Sequence, residues 1–355
     1  MFTSRQPLIA FRRRAAPLVF AAVQFAGLAA CGGSGGYGSG GGSTSVTGVG
    51  PSKVFAADSP HMAIGSVANP NPAAGTLMVD RIIQGPIYTQ LTNNIGSLAL
   101  DTTLDYLYVG NGTSILVFNG ASMANGDTSP SRTITSSAGF SNTGSMFLDR
   151  THDVLYVGDD LNGVRVFNGI SALATGSHTN DRFITGNFGT TFAIRGVAVD
   201  TTARDILYVS NEVTSPTTTH RISVFDSAST VPGSTAPNRT ITPTDSTHTL
   251  NFTVGGIALD ATRDLLYVGG GTVTFGVMVF TGASTADGPT EPAKVFQIPG
   301  VITKVWVDPA ADRLYALNAT FIYIIENAST ALGTATAKAV LVPPGGSFTA
   351  IAVAP

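Results

Sequence analysis

From Ser97 onward the chain alternates short apolar runs with brief polar punctuation, and the same four phrases return in order. The first group reads SLALD, YLYVG, SILVFNG and SRTIT; the second SMFLD, VLYVG, GVRVFNG and DRFIT. The third is GVAVD, ILYVS, RISVFDS and NRTIT, the fourth GIALD, LLYVG, GVMVFTG and AKVFQ, and the fifth KVWVD, RLYAL, FIYIIEN and KAVLV. Each run is rich in β-branched and aromatic residues and is bounded by Gly, Asn, Asp or Ser, the signature of a short strand. Four such strands per unit of about fifty residues predict the blades of a β-propeller. The runs are apolar on both faces, as a blade flanked by two neighbours requires. Long amphipathic helical periods are absent, which argues against a βαβ enzyme.

The two ends complete the count. KVFAAD (Lys53–Asp58), HMAIGSVAN and LMVDRIIQG match the second, third and fourth phrases, and FTAIAVAP (Phe348–Pro355) matches the first. Residues 51–355 are therefore expected to form six four-stranded antiparallel blades, the C-terminal strand joining three N-terminal strands to close the ring. Such closure removes free sheet edges without a disulfide. Ala354 stands where the other copies carry Asp.

Recurrent residues read as structure before chemistry. Asp101 and Asp105 flank the first turn, followed by Asp149 and Asp153, Asp200 and Asp205, Asp260 and Asp264, and Asp308 and Asp312. Aspartates so placed accept backbone N–H bonds and hold tight turns, and five equivalent pairs around a ring call for a structural role. Tyr108, Tyr156, Tyr208, Tyr267 and Tyr315 share one register suited to packing between blades. Arg81, Arg132, Arg182, Arg239, Lys294 and Lys338 recur at the fourth strand, where positive charge is expected to discourage edge pairing or to meet a turn aspartate.

The N-terminus is of a different kind. Residues 1–30 combine a basic start with a short apolar run interrupted by Pro17 and Gln24, which reads as an export signal. Leu28-Ala29-Ala30-Cys31 resembles a bacterial lipobox, which implies cleavage before Cys31 and acylation of its thiol. Residues 31–50 then form a Gly/Ser-rich tether. Gly32 lacks the aspartate associated with inner-membrane retention, so the expected location is the cell envelope, at the outer membrane in a diderm host. Cys31 is the only cysteine, so the body must be stabilised by packing. Only 12% of residues are charged and the net charge is −3, which excludes the clustered basic footprint of a nucleic-acid binder. A monomer is expected.

The LYV-x-N…I-x-VFD phrasing makes residues 53–355 resemble six-bladed NHL/YVTN-type propellers and, more distantly, the superfamily with SMP-30-like and paraoxonase-like lactonases. That second resemblance implies a metal at the channel mouth held by Glu, Asn and Asp. Strand parity assigns candidate positions to one rim. Asn94, Asn142, Arg195, Thr253, Lys304 and Thr349 precede or begin the innermost strands, and Asp159 and Asp160 lie in a neighbouring turn. Ca²⁺ is the ion such oxygen-rich residues would hold. Two departures from the repeat fall on this rim: a loop expected at Ser210–Arg221, with Glu212 and His220, and Thr242–Gly255, with Asp245 and His248. They stretch the interval from Asp200 to Asp260 to 60 residues, against 48 from Asp101 to Asp149.

The five histidines are scattered, HExxH is absent, and there is no GxSxG elbow after a strand. The leading expectation is a lipid-anchored, non-catalytic propeller that presents this rim to an envelope or extracellular protein or glycan. The alternatives are a metal-dependent lactonase-like or other hydrolase at the channel mouth, and a carrier of a small ligand or metal.

Overall fold

The computed structural model describes residues 53–68, 70, 79–186, 188, 192–214, 218–244, 254–271, 276–331, 338–341 and 347–354. The expected signal and tether, including Cys31, and the residues Asp245, His248 and Thr253 lie outside them. The chain divides into units 1–48 and 49–355, and the second is a six-bladed antiparallel propeller.

The first blade contains β1 (Lys53–Asp58), β2 (Ala63–Ala68) and β3 (Arg81–Gln84); the second, β4 (Ile95–Asp101), β5 (Tyr106–Asn111), β6 (Ser114–Asn119) and β7 (Arg132–Ser136). The third is built from β8 (Thr143–Asp149), β9 (Val154–Asp159), β10 (Gly163–Asn168) and, after a short β11 (Gly176–His178), β12 (Arg182–Ile184). The fourth has β13 (Phe192–Asp200), β14 (Ile206–Val213), β15 (Thr219–Asp226) and β16 (Arg239–Pro243). In the fifth come β17 (Val254–Asp260), β18 (Leu265–Gly270) and β19 (Val277–Thr281), then β20 (Gly288–Thr290) and β21 (Lys294–Phe296). The sixth has β22 (Lys304–Asp308), β23 (Arg313–Leu317), β24 (Phe321–Glu326) and β25 (Lys338–Leu341), and β26 (Phe348–Ala354) returns to the first blade. Two of the short strands stitch neighbours together: β11 pairs in parallel with β7, and β20 with β16.

Closure follows the pattern read from the ends. β26 lies antiparallel to β1 with Lys53 opposite Ala354 and Ala56 opposite Ile351, and the register shifts between Ala57 and Asp58. The apolar core is distributed between blades. Tyr108, Ile115, Val117 and Ile134 of the second blade pack with Leu155, Val157 and Phe167 of the third. At the closing junction, Val54, Ala56, Phe348, Ile351 and Val353 pack with Tyr315, Leu317, Ile322 and Ile324. Each of the five register tyrosines lies in such an interface, four of them with no exposed surface. Burial pushes the Tyr108 hydroxyl up to about 12.

The paired aspartates divide their labour. The first of each pair caps its own turn: Asp101 Oδ1 accepts from the N–H groups of Thr103 and Leu104, and Asp260 Oδ1 from those of Thr262 and Arg263. The second adopts a left-handed backbone, with φ of 56° at Asp105 and 55° at Asp264, a conformation that Asp tolerates better than most residues. Its carboxylate reaches the next turn of the same blade, accepting from the backbone N–H and hydroxyl of one serine. The pairs are Asp105–Ser122, Asp153–Ser171, Asp205–Ser229, Asp264–Ser284 and Asp312–Ser329.

The basic residues of the fourth strand do something other than guard an edge. Arg132 donates to the carbonyls of Ile170, Ser171 and Leu173, Arg182 to Ala228, Arg239 to Ala283 and Ala286, and Lys294 to Ser329. Each thus ties its blade to the aspartate-pinned turn of the next. Arg239 alone of these four also meets a carboxylate, that of Asp226 at 2.9 Å.

Candidate functional site at the irregular rim

One rim gathers the connections between blades and the turns between second and third strands; the aspartate turns occupy the other. On the irregular rim the departure at Ser210–Arg221 is a raised hairpin rather than the expected loop. β14 and β15 continue through the pairs Asn211–Arg221, Glu212–His220 and Val213–Thr219, the last of them a pair of β-branched residues that favour a strand. β13 lengthens beside it, with Ala193 opposite Glu212. Arg195 then pairs with Glu212, Nη2 at 2.8 Å and Nε at 3.3 Å from Oε2. His220 completes this group. Burial lowers its pKa, opposed by Glu212 and reinforced by Arg195, and its Nδ1 is buried without a partner.

Lys304 marks the centre of the mouth. Counting four residues back from the terminal aspartate of each innermost strand, the other blades place Ser97, Ser145, Gly196 and Gly256 at this level, with Ala350 in β26. Those five small residues leave room for one long side chain. Lys304 crosses the mouth from the sixth blade to the third, where its Nζ donates to the carbonyl of Gly144 at 2.5 Å. Burial, and secondarily Arg195, lower its pKa to about 8, while Asp160 acts in the opposite sense. Asp160 Oδ1, Asn142 Oδ1 and Thr349 Oγ1 are buried polar atoms without partners on this same rim.

Asp159 stands apart from the rim residues it was grouped with. It is wholly buried, its Oδ2 lies 2.7 Å from Arg165 Nε, and its Oδ1 accepts from Ser141 N–H and Oγ and from Asn142 N–H. Burial pushes its carboxyl up, but the Ser141 and Arg165 hydrogen bonds outweigh this and hold it below the usual range. Asp159 occupies the asparagine position of the LYV-x-N phrase, filled by Asn111, Asn211 and Asn318 in other blades. Those asparagines pin the segment leading into the blade: Asn111 accepts from Thr92 and donates to Gln90, and Asn318 donates to Pro299. The motif that marked the repeat already carried this signal.

Asn94 is exposed beside the Gly112 turn, whose N–H donates to the Asn94 carbonyl. The structure therefore joins Arg195, Glu212 and His220, sets Lys304, Asn142 and Asp160 around the mouth, and leaves Asn94 at the periphery. This donor set does not suit Ca²⁺, which takes six to eight oxygens: an ammonium already crosses the mouth, and a guanidinium adds positive charge. Among the described residues no group of three or more His, Cys, Asp or Glu is placed to hold a metal ion.

The residues that sequence reasoning missed are apolar. Among the described residues eight large hydrophobic side chains are exposed, and five of them belong to this rim: Met62, Ile87, Tyr88, Leu161 and Val301. Ile87 and Tyr88, 70% and 57% exposed, are held outward because Asp127 accepts the N–H groups of Ile87, Tyr88 and Thr89.

These features define a six-bladed antiparallel β-propeller closed by its C-terminal strand. No family model and no curated protein matches the chain. A solved structure of similar fold comes from a nidogen/laminin complex: it superposes with a TM-score of 0.56 at 14% identity, over 86% of this chain and 99% of that one.

Proposed function

We propose that this chain is a lipid-anchored, non-catalytic propeller of the cell envelope that presents its irregular rim to a protein partner. The observation that carries the reading is that five of the eight exposed large apolar side chains among the described residues lie on that rim, with Ile87 and Tyr88 foremost. Aromatic and aliphatic anchors of this kind supply most of the binding energy at protein interfaces. The partly exposed Arg195–Glu212 pair provides polar groups for the same surface. The fold itself takes part in protein complexes, as the similar chain from the nidogen/laminin complex does. A glycan is the second reading, favoured by the exposed Tyr88 ring and the Arg195–Glu212 pair, which suit a sugar's apolar face and its hydroxyls. Anchoring rests on the lipobox at Cys31 and the tether behind it, since two or more acyl chains hold a protein stably to a bilayer.

Crosslinking in intact cells tests the rim. The combined variant Ile87→Ser, Tyr88→Ser, Leu161→Ser is expected to lose the partner retained by the parent chain while keeping its melting temperature. Equal retention by both overturns the reading. Cys31→Ser is expected to move the protein from the detergent to the aqueous phase on partition.

A further inference from the structure

Beneath Lys304 the ring encloses a bore of about 390 Å³ walled by all six innermost strands. Its walls are mainly apolar, with Leu100, Leu148, Leu259, Phe147 and Trp306 only partly covered. Phe147 and Trp306 occupy one level, two residues before the terminal aspartates of β8 and β22, on blades three apart in the ring. Ala99, Ala198, Ala258 and Ala352 fill that level in the other blades, leaving a slot between two aromatic side chains.

The side chains lining the bore are polar only towards its ends, and the two ends differ. On the aspartate side, Asp308 accepts from the N–H groups of Ala310 and Ala311, and the solvent-exposed Arg150 donates to Thr102 Oγ1. At the rim side, Lys304 carries three donors but finds one acceptor among the described residues, the Gly144 carbonyl. Arg195 adds positive charge and Asp160 negative charge near it. A cation beside apolar walls with donors to spare gains most from a carboxylate, whose charge-assisted hydrogen bonds are about twice as strong as neutral ones. Small-molecule sites are commonly of this form, apolar pockets with a few placed polar groups.

We propose that the bore binds an amphiphile with one carboxylate and one unbranched apolar tail, of the decanoate kind, its head at Lys304 and its tail running past Trp306 and Phe147. The size agrees. Four residue steps from Lys304 to Asp308 at ~3.3 Å each give a bore about 13 Å long. At ~30 Å³ per water-sized group, the volume holds on the order of a dozen methylenes. Nothing in this assignment depends on a partner at the rim.

Trp306 is the only tryptophan in the chain, so its emission reports the bore directly. Bromine-bearing decanoate is expected to quench it. In a series from hexanoate to tetradecanoate, affinity should rise about three- to fourfold per methylene and then level off when the bore is full. Lys304→Met should weaken decanoate about tenfold or more while leaving decanol unchanged, and Lys304→Arg should retain decanoate. The Ile87/Tyr88/Leu161 rim variant should bind decanoate as the parent does, which separates failure here from failure of the rim reading. Unquenched Trp306, a chain-length series without a plateau, or equal decanoate affinity in Lys304→Met overturns the proposal.

Discussion

Replacing Asp159 with asparagine restores the residue that three other blades carry at that position, yet the structure requires it to be damaging. Asp159 and Arg165 have side chains 0% and 4% exposed, 2.7 Å apart. Asparagine can keep the Oδ1 bonds from Ser141 and Asn142, but its amide N–H₂ would face Arg165 Nε and Asn162 Nδ2, which now donate to Oδ2. A guanidinium without its counter-ion, held only by Ser136 Oγ and Asn180 Oδ1, then remains between the Phe183 and Phe140 rings, 4.2 Å and 5.7 Å from their centroids. Breaking a buried pair in this way costs about 3–5 kcal/mol, a large part of the ~5–15 kcal/mol that separates folded from unfolded chains. Arg165 corresponds in register to Leu116 of the second blade. Adding Arg165→Leu therefore removes the orphan charge, at the loss of a ring contact worth about 0.5–2 kcal/mol. The double variant is expected to be more stable than Asp159→Asn alone by about 2 kcal/mol. Urea unfolding of the four proteins, followed by far-UV circular dichroism, measures the cycle. A single variant as stable as the parent, or a double variant less stable than the single, refutes the reasoning.

Two further outcomes follow from the ring. Removing Phe348–Pro355 takes away β26 and its pairing with β1 and should abolish cooperative thermal unfolding, while Ile351→Ala, at a 6% exposed site, should cost about 2–5 kcal/mol; a normal melt from the truncated chain contradicts the closure. Lys304 has its folded pKa lowered to about 8, whereas an unfolded lysine titrates near ~10.4. The unfolded chain then binds more protons between these values, so stability rises with pH across that window. Lys304→Met should lose this rise, as chemical denaturation at a series of pH values would show.

The repeat made the blades, their strands and the closing strand legible, because each phrase contains both the strand and its punctuation. It also made the aspartate turns legible as structure. What it hid depended on relations across blades. The crossing of Lys304 to Gly144 is set by five small residues at the same level of other strands, each unremarkable in its own blade. Asp159 was grouped by nearness to a turn although its position in LYV-x-N already placed it inside. The Asp–Ser pins join phrases some twenty residues apart, and the outward Ile87 and Tyr88 owe their exposure to Asp127 in the next blade.

The register at the closure has a consequence for how this ring can be cut. Lys53 faces Ala354 as Tyr106 faces Asp101, and in the second blade that gap is bridged by Thr102-Thr103-Leu104-Asp105. The same four-residue turn, inserted between Ala354 and Lys53, would make the first blade continuous, and the chain could then be opened between any other pair of blades. The position of the closing junction is thus separable from the architecture, and a permuted chain would carry its termini at a different point on the circumference.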